Sequence, residues 1–223
     1  MQVLRFINSP IDSNCFLLIN ESESSCIVVD PGTEDCSHIF PFLDEQGLNV
    51  DYCFLTHEHI DHIIGLKALE EKTGCQIVCS TVCAGYLNDT KYNLSEFEER
   101  FVPTDSFPKA DITFDSHLEI KWNGLDLKMS VMPGHSRGSA YLLVNNNFFV
   151  GDNLIKGIRT KANYFGGSKK DLLSSLETVL EQFGNTDLII HCGHFDSCTM
   201  ADIKPEIEEQ MAFLKKKIQR LST

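Results

Sequence analysis

Six consecutive residues, His57-Glu58-His59-Ile60-Asp61-His62, concentrate the chemistry of this chain. Imidazole nitrogens and carboxylate oxygens are donors that suit Zn, Fe or Mn. On a helix, the i, i+2 spacing of His57 and His59 would send their rings apart. On an extended or turning backbone both rings reach one ion. Asp61 and His62 then fall on the other side of the turn, where a second ion fits. The block lies between the apolar run Cys53-Phe54-Leu55 and an apolar-periodic segment. It reads as a strand-end loop that begins two metal sites at once.

Three more candidate donors stand at the ends of strand-like runs. They are His135 in Met132-Pro133-Gly134-His135-Ser136, Asp152 in Val150-Gly151-Asp152-Asn153, and His194 in Cys192-Gly193-His194-Phe195. A glycine precedes each, which permits a tight turn and close backbone approach. Strand ends are where α/β proteins place their chemistry. Together, five histidines and two aspartates come from four strand ends.

The elements that must position these donors follow from patterning. Short β-like runs at residues 3–6, 15–19 and 26–29 end at the turn Asp30-Pro31-Gly32. Near-helical apolar spacing predicts a helix over 37–46. A strand at 53–55 delivers the donor loop. A helix over 63–72 stops near Thr73-Gly74, and a strand follows at 76–79. That succession is the βαβ signature of a sheet covered by helices. Residues 84–110 break the rhythm and read as an insert or lid near the site.

Strands resume at 117–122 and 125–132 around the hairpin turn Asn123-Gly124. Further strands are expected at 141–144, 148–150 and 188–190, with helices over 172–183 and 203–221. Each half runs strands first and helices after, a repeated layout with no separating linker. One domain over residues 1–223 is expected.

The formal charge is −13, from 32 acids against 19 bases. That balance disfavours nucleic-acid backbones and anionic membranes and leaves a small molecule as the expected substrate. No signal-peptide pattern opens the chain, and no apolar run approaches membrane-spanning length. Nine cysteines without regular spacing fit a reduced, cytoplasmic protein with buried free thiols. Cys75, Cys79 and Cys83, spaced by four, read as core fillers. His191 is expected in the core, and His38 and His117 on the surface. Lys156 and Arg159 could hold an anionic substrate near the metals, and Tyr164 could donate to a developing oxyanion.

The ordered motifs resemble those of metallo-β-lactamase-fold hydrolases of the glyoxalase II type. The carriers are His57-x-His59-x-Asp61-His62, His135 in Pro-Gly-His-Ser-Arg-Gly-Ser, Asp152 in Gly-Asp-Asn-Leu, and His194 in Cys-Gly-His. Asn14-Cys15-Phe16-Leu17 and Val29-Asp30-Pro31-Gly32 match the family's opening. The resemblance implies an α/β (α+β) fold, a four-layer αββα sandwich with metals at one edge of the paired sheets. It implies two divalent metal ions, zinc foremost, with iron or manganese as alternatives. His57, His59 and His135 would bind the first and Asp61, His62 and His194 the second, with Asp152 bridging. A bound dication lowers the pKa of water to about 7, so a nucleophile exists at neutral pH. Asp61 is then the expected catalytic residue, orienting that hydroxide and handling its proton.

Departures from relatives narrow the activity. Zinc β-lactamases usually carry Cys where this chain has Asp152, and flavodiiron proteins carry Glu where it has His59. Only about one helix follows His194, whereas glyoxalase II adds a helical domain that grips glutathione. The expected function is hydrolysis of a small thioester or ester, as in hydroxyacylglutathione hydrolases. The alternatives are a lactonase, a mononuclear iron persulfide dioxygenase-like oxidoreductase, and a non-catalytic binding protein.

Overall fold

The computed structural model describes residues 1–20, 24–99 and 106–221. Two six-stranded sheets face each other. The first runs in chain order from β1 (Gln2–Ile7) through β2 (Asn14–Asn20), β3 (Ser25–Val29), β4 (Asn49–Phe54) and β5 (Gln76–Ser80) to β6 (Ile112–Phe114). Its first three strands are antiparallel and its last four run parallel. The second contains β7 (His117–Trp122), β8 (Leu125–Val131), β9 (Ala140–Val144), β10 (Asn147–Gly151), β11 (Ile189–Cys192) and β12 (Cys198–Thr199), again in chain order. It is antiparallel except for β10 beside β11.

Strand alternation builds the layers. On β2 and β3, Cys15, Leu17, Cys26 and Val28 point outward, beneath α1 (Phe40–Gln46), α2 (Ile60–Ile63), α3 (Leu66–Thr73) and α4 (Thr81–Tyr86). Phe16, Leu18, Ile27 and Val29 point inward and meet Trp122, Leu127, Leu142 and Phe149 of the second sheet. These strands are buried on both faces, so they read as unbroken apolar runs. Beyond the second sheet, α5 (Lys169–Phe183) buries Leu172, Leu176 and Val179, and α6 (Met200–Leu221) buries Ile203, Ile207 and Leu214. The triples follow helical spacing, i, i+4, i+7 on α5 and i, i+4, i+11 on α6. The expected αββα sandwich is the observed architecture.

Several boundaries differ from expectation. The first helix starts at Phe40, with proline in its first turn, where a missing N–H costs nothing. The helix expected over 63–72 is two helices, broken at Gly65. There the backbone crosses the 31–33 turn, Gly65 N donates to the Pro31 carbonyl at 2.8 Å, and a Cβ would collide with that turn. In the segment 84–110, α4 and a 3₁₀ turn (Ser95–Phe97) are formed, and residues 100–105 of that insert lie outside the described residues. His38 is half-buried, edge-on to Phe6, rather than on the surface. All nine cysteines are free and buried, Cys75, Cys79 and Cys83 within the outer core of the first sheet. His191 is in the core, stacked on Phe149 at 4.4 Å and edge-on to Phe16. Among the described residues no helix is long and apolar enough to cross a membrane.

Candidate metal centre

The donors gather at one edge of the sandwich, where β4, β8, β10 and β11 end. After β4 the chain bends at Thr56 and reaches His59, which caps α2 in the extended region at φ −66°, ψ 143°. His57 and His59 therefore project together, with ring centroids 4.6 Å apart. Asp61 and His62 follow on the first turn of α2. Two glycines permit the crowding. A Cβ on Gly193 would strike Asp152, and one on Gly151, held at φ +54°, would strike Thr56. Hydrogen bonds across the edge lock the loops together: Ala140 N to the Thr56 carbonyl (2.8 Å), Gly193 N to Gly151 (2.8 Å) and Asn14 N to Gly193 (2.7 Å).

Three compact groups of donors result among the described residues; in one, Asp30 with His57 and His62, the Asp30 carboxylate is already held by hydrogen bonds, and the other two are the donor sets. His57, His59 and His135 offer ligand atoms within 4.8 Å of one another, as do Asp61, His62 and His194. Asp152 reaches both. Its Oδ1 is 3.6 Å from His62 Nε2, and its Oδ2 is 3.4 Å from His194 Nε2 and 3.6 Å from His135 Nε2. Each site residue expected to bind metal thus joins one cluster.

Hydrogen bonds on the far side of four rings decide which nitrogen faces inward. His135 Nδ1 lies 2.9 Å from the Lys161 carbonyl, and His194 Nδ1 lies 3.0 Å from the Asp12 carbonyl. A carbonyl only accepts, so both Nδ1 atoms carry hydrogen and both Nε2 atoms face the cluster. His62 Nδ1 donates to Asp30 Oδ2 at 3.0 Å. Thr56 has one hydroxyl hydrogen and gives it to Asp30 Oδ2 at 2.6 Å. Its oxygen therefore accepts from His57 Nδ1 at 3.0 Å. Oxygen partners of this kind fix tautomer and ring orientation in metal-binding histidines. Inside the cluster His59 Nδ1 and His135 Nε2 stand 2.9 Å apart, near the about 3.3 Å expected between two nitrogens sharing a tetrahedral ion.

The inward atoms also lack partners. His57 Nε2, His62 Nε2 and Asp152 Oδ1 are buried without a hydrogen bond, and so is His59 Nε2. Buried polar atoms left unpaired are costly. The residues present fit divalent ions.

Electrostatics point the same way. Burial holds His57 and His59 well below the usual imidazole range, reinforced by neighbouring imidazoles. Burial also opposes charge on His62, but Asp61, Asp30 and Asp152 outweigh it and push its pKa up to about 9. Asp152 stays well below the usual carboxylate range despite burial, because His194, His62 and His135 surround it. The carboxylates demand positive charge, and ions binding these donors would displace the protons.

Sequence reasoning missed the supports. Asp30 appears there only as a turn residue, yet its carboxylate takes Thr56 N at 2.8 Å, the Thr56 hydroxyl and His62. Glu58 turns away from the donors and accepts from Ser136 Oγ (2.9 Å) and Gly138 N (3.3 Å), bracing the His135 loop. Burial raises its pKa to about 7. Asn153 holds the same loop through His135 N at 3.1 Å. An aspartate directly after a buried strand was the available signal for Asp30.

The remaining expected contacts scatter. Lys156 lies 4.0 Å from Asp202, and Arg159 pairs with Glu209 over the Phe213 ring. Both pairings turn toward α6. Tyr164 packs near His59 and His135, with centroids 5.9 and 5.8 Å away. It lines both clefts that open on the donors, one of about 580 Å³ and one of about 220 Å³. Arg159 and Lys161 line the smaller.

Known proteins are similar to this chain. The probable metallo-hydrolase YqgX of Bacillus subtilis is 30% identical over 200 residues, covering 88% of this chain and 92% of its own. The hydroxyacylglutathione hydrolase GloC of Haemophilus influenzae is 29% identical over 195 residues, covering 86% and 89%. The crystal structure of the BLEG-1 B3 metallo-beta-lactamase superposes with a TM-score of 0.84 at 21% identity, covering 94% of this chain and 99% of that one. The family model described as Metallo-beta-lactamase superfamily matches residues 9–194, a span that begins before β2 and ends on His194 itself. By fold, by the extent of that match and by the relatives it draws, this chain belongs to the metallo-beta-lactamase superfamily.

Proposed function

We propose that the protein is a dinuclear metal-dependent hydrolase that cleaves a small thioester or ester, the reaction class named for its Haemophilus relative. The observation that carries this reading is the tautomer pattern. Four histidines spend Nδ1–H on oxygen acceptors and turn Nε2 inward, onto two complete donor sets joined by Asp152. His57, His59 and His135 would hold one ion, Asp61, His62 and His194 the other, with zinc the foremost candidate. Ions held there supply a water nucleophile near neutral pH and polarise a carbonyl.

The chain's own groups do the rest. Asp61 opens onto the larger cleft, where its carboxylate can orient a water and take its proton at an Oδ atom. Asp152 keeps the two donor sets in register. Ile60 and Ile11 line the same wall and limit water around the reacting carbonyl. No serine or cysteine nucleophile is needed.

Elemental analysis of protein purified without added metal is the test. About two zinc per chain is expected, with thioester and lactone hydrolysis that is lost with the metal. His57→Ala is expected to lose the first ion. Asp61→Asn is expected to lower kcat by at least about 100-fold, as removal of a proton-handling group does. About one iron per chain, with oxygen consumed on a persulfide, would replace this reading with the dioxygenase. Protein that neither holds nor takes up metal would overturn both.

A further inference from the structure

Exposed apolar groups are not spread evenly over this protein. Nine large hydrophobic residues are exposed among those described, and five of them line the two clefts at the donors: Phe97, Ile158, Tyr164, Phe165 and Phe195. Phe97 is 59% exposed, Phe165 50% and Phe195 57%. Clustered exposed rings beside a polar centre mark a binding surface rather than a core.

The backbone is bent to present two of the apolar groups. Among the described residues seven non-glycine residues have positive φ, and five of them are the small or polar Ser24, Asp30, Cys36, Asn123 and Asn145. The bulky ones are Leu94 at φ +66° and Phe195 at φ +62°, in a region that large side chains avoid. Leu94 lines the larger cleft and Phe195 the smaller. Both are pinned. Asn93 accepts Ile60 N at 2.8 Å through its carbonyl and ties itself to Leu87 and Ser95 through its side chain. The Phe195 carbonyl accepts from Asn14 Nδ2 at 2.7 Å and from the Arg5 guanidinium. Strain of this kind concentrates at ligand sites.

A ring ladder backs the wall. Tyr86 and Tyr92 stack at 3.8 Å, Tyr92 meets Phe165 edge-on at 6.1 Å, and Phe165 stacks with Phe97 at 6.0 Å. The ladder docks the insert after α4 against the 164–167 turn. Among the described residues no lysine or arginine lines the larger cleft, and Asp61, Glu98 and Asp152 do.

We propose that the larger cleft takes an uncharged apolar acyl group, a medium-length alkyl chain or an aryl group, laid on Leu94, Phe97 and Phe165 with its carbonyl at the donor sets. This rests on the hydrolase reading above and assigns its substrate class: apolar acyl thioesters, esters or lactones in preference to glutathione conjugates.

Two measurements on the metal-loaded protein test it. Calorimetric binding of n-alkyl hydroxamic acids, from acetyl to decanoyl, needs no turnover. Kd is expected to fall about two- to fourfold per methylene. Phe97→Ser/Phe165→Ser, both at exposed positions, is expected to flatten that slope. Leu94→Gly is expected to raise Tm, by relieving the left-handed backbone, while weakening binding of the longer probes. A side chain serving structure alone would not give those opposite signs. The second measurement compares kcat/KM for the octanoyl thioester of N-acetylcysteamine with that for S-lactoylglutathione, and the octanoyl substrate is expected to lead by at least tenfold.

A flat Kd series, or a slope unchanged in the double variant, overturns the apolar subsite. Faster hydrolysis of S-lactoylglutathione also overturns it and leaves the hydrolase reading standing. A clear chain-length slope without hydrolysis of either thioester upholds the subsite and sinks the hydrolase reading.

Discussion

Asp30 carries one carboxylate and holds two neighbours of the centre, Thr56 and His62. Through the Thr56 hydroxyl it also fixes the His57 ring, so one residue orients a donor of each set. Asp30→Asn keeps the size and tolerates the positive φ of 56°. It withdraws the anion that receives His62 Nδ1–H. Metal affinity is expected to fall 10- to 100-fold, the usual cost of losing such a support. Chelator competition measures it, and an unchanged affinity would show that His62 needs no such anchor. Asp30 escaped sequence reasoning because its partners lie 26 and 32 residues away. Local pattern shows a turn, and only the pairing of β3 with β4 brings the carboxylate beneath the donor loop.

At the scale of elements, the site depends on how four strands end. Gly193 follows β11, and its missing side chain leaves room for the Asp152 carboxylate and the His62 ring. Gly193→Ala is expected to displace Asp152 and weaken metal binding at least about tenfold, since second-layer disturbances cost that much. Circular dichroism should remain native, because the backbone at Gly193 does not require positive φ. The strands themselves were legible from residue types alone. Runs such as Cys15-Phe16-Leu17-Leu18-Ile19 are apolar on both faces because helices cover one side and a second sheet the other. The donor order was legible for the same reason, as each donor sits where a buried run stops. Directions on exposed loops were not legible. Lys156 and Arg159 follow Asp152 closely in sequence, and in the fold they pair with Asp202 and Glu209 of α6. Those acids are distant in the chain, so spacing says nothing about them. The Gly65 break was hidden likewise, because it arises from contact with the 31–33 turn.

At the scale of the whole molecule, His191 sits against the rings that join the sheets. Asn147 Oδ1 and Ser197 Oγ each lie 2.9 Å from one ring nitrogen, and burial lowers its pKa from 6.5 to about 4. Folded His191 resists a proton that the unfolded chain accepts. Its contribution to stability is therefore complete above pH 6.5 and is lost as pH falls toward 4, by about 3 kcal/mol in full. Urea unfolding at pH 7 and pH 4.5 checks this. His191→Gln is expected to lose about 2–3 kcal/mol less than the parent between those values, and an identical loss would refute the assignment.

Both donor sets also straddle the sandwich. His57 and His59 follow a strand of the first sheet and His135 one of the second, and Asp61 and His62 face His194 across the same divide. An ion in either set is thus a rivet between distant parts of the chain, closing loops that the unfolded polymer leaves open. Ligands that bind only the folded form stabilise it in proportion to their supply. With the proposed ions bound, availability of metal would govern how long each molecule survives as well as how fast it works. Under metal starvation the empty sandwich would open more often, and proteolysis would clear the idle copies first.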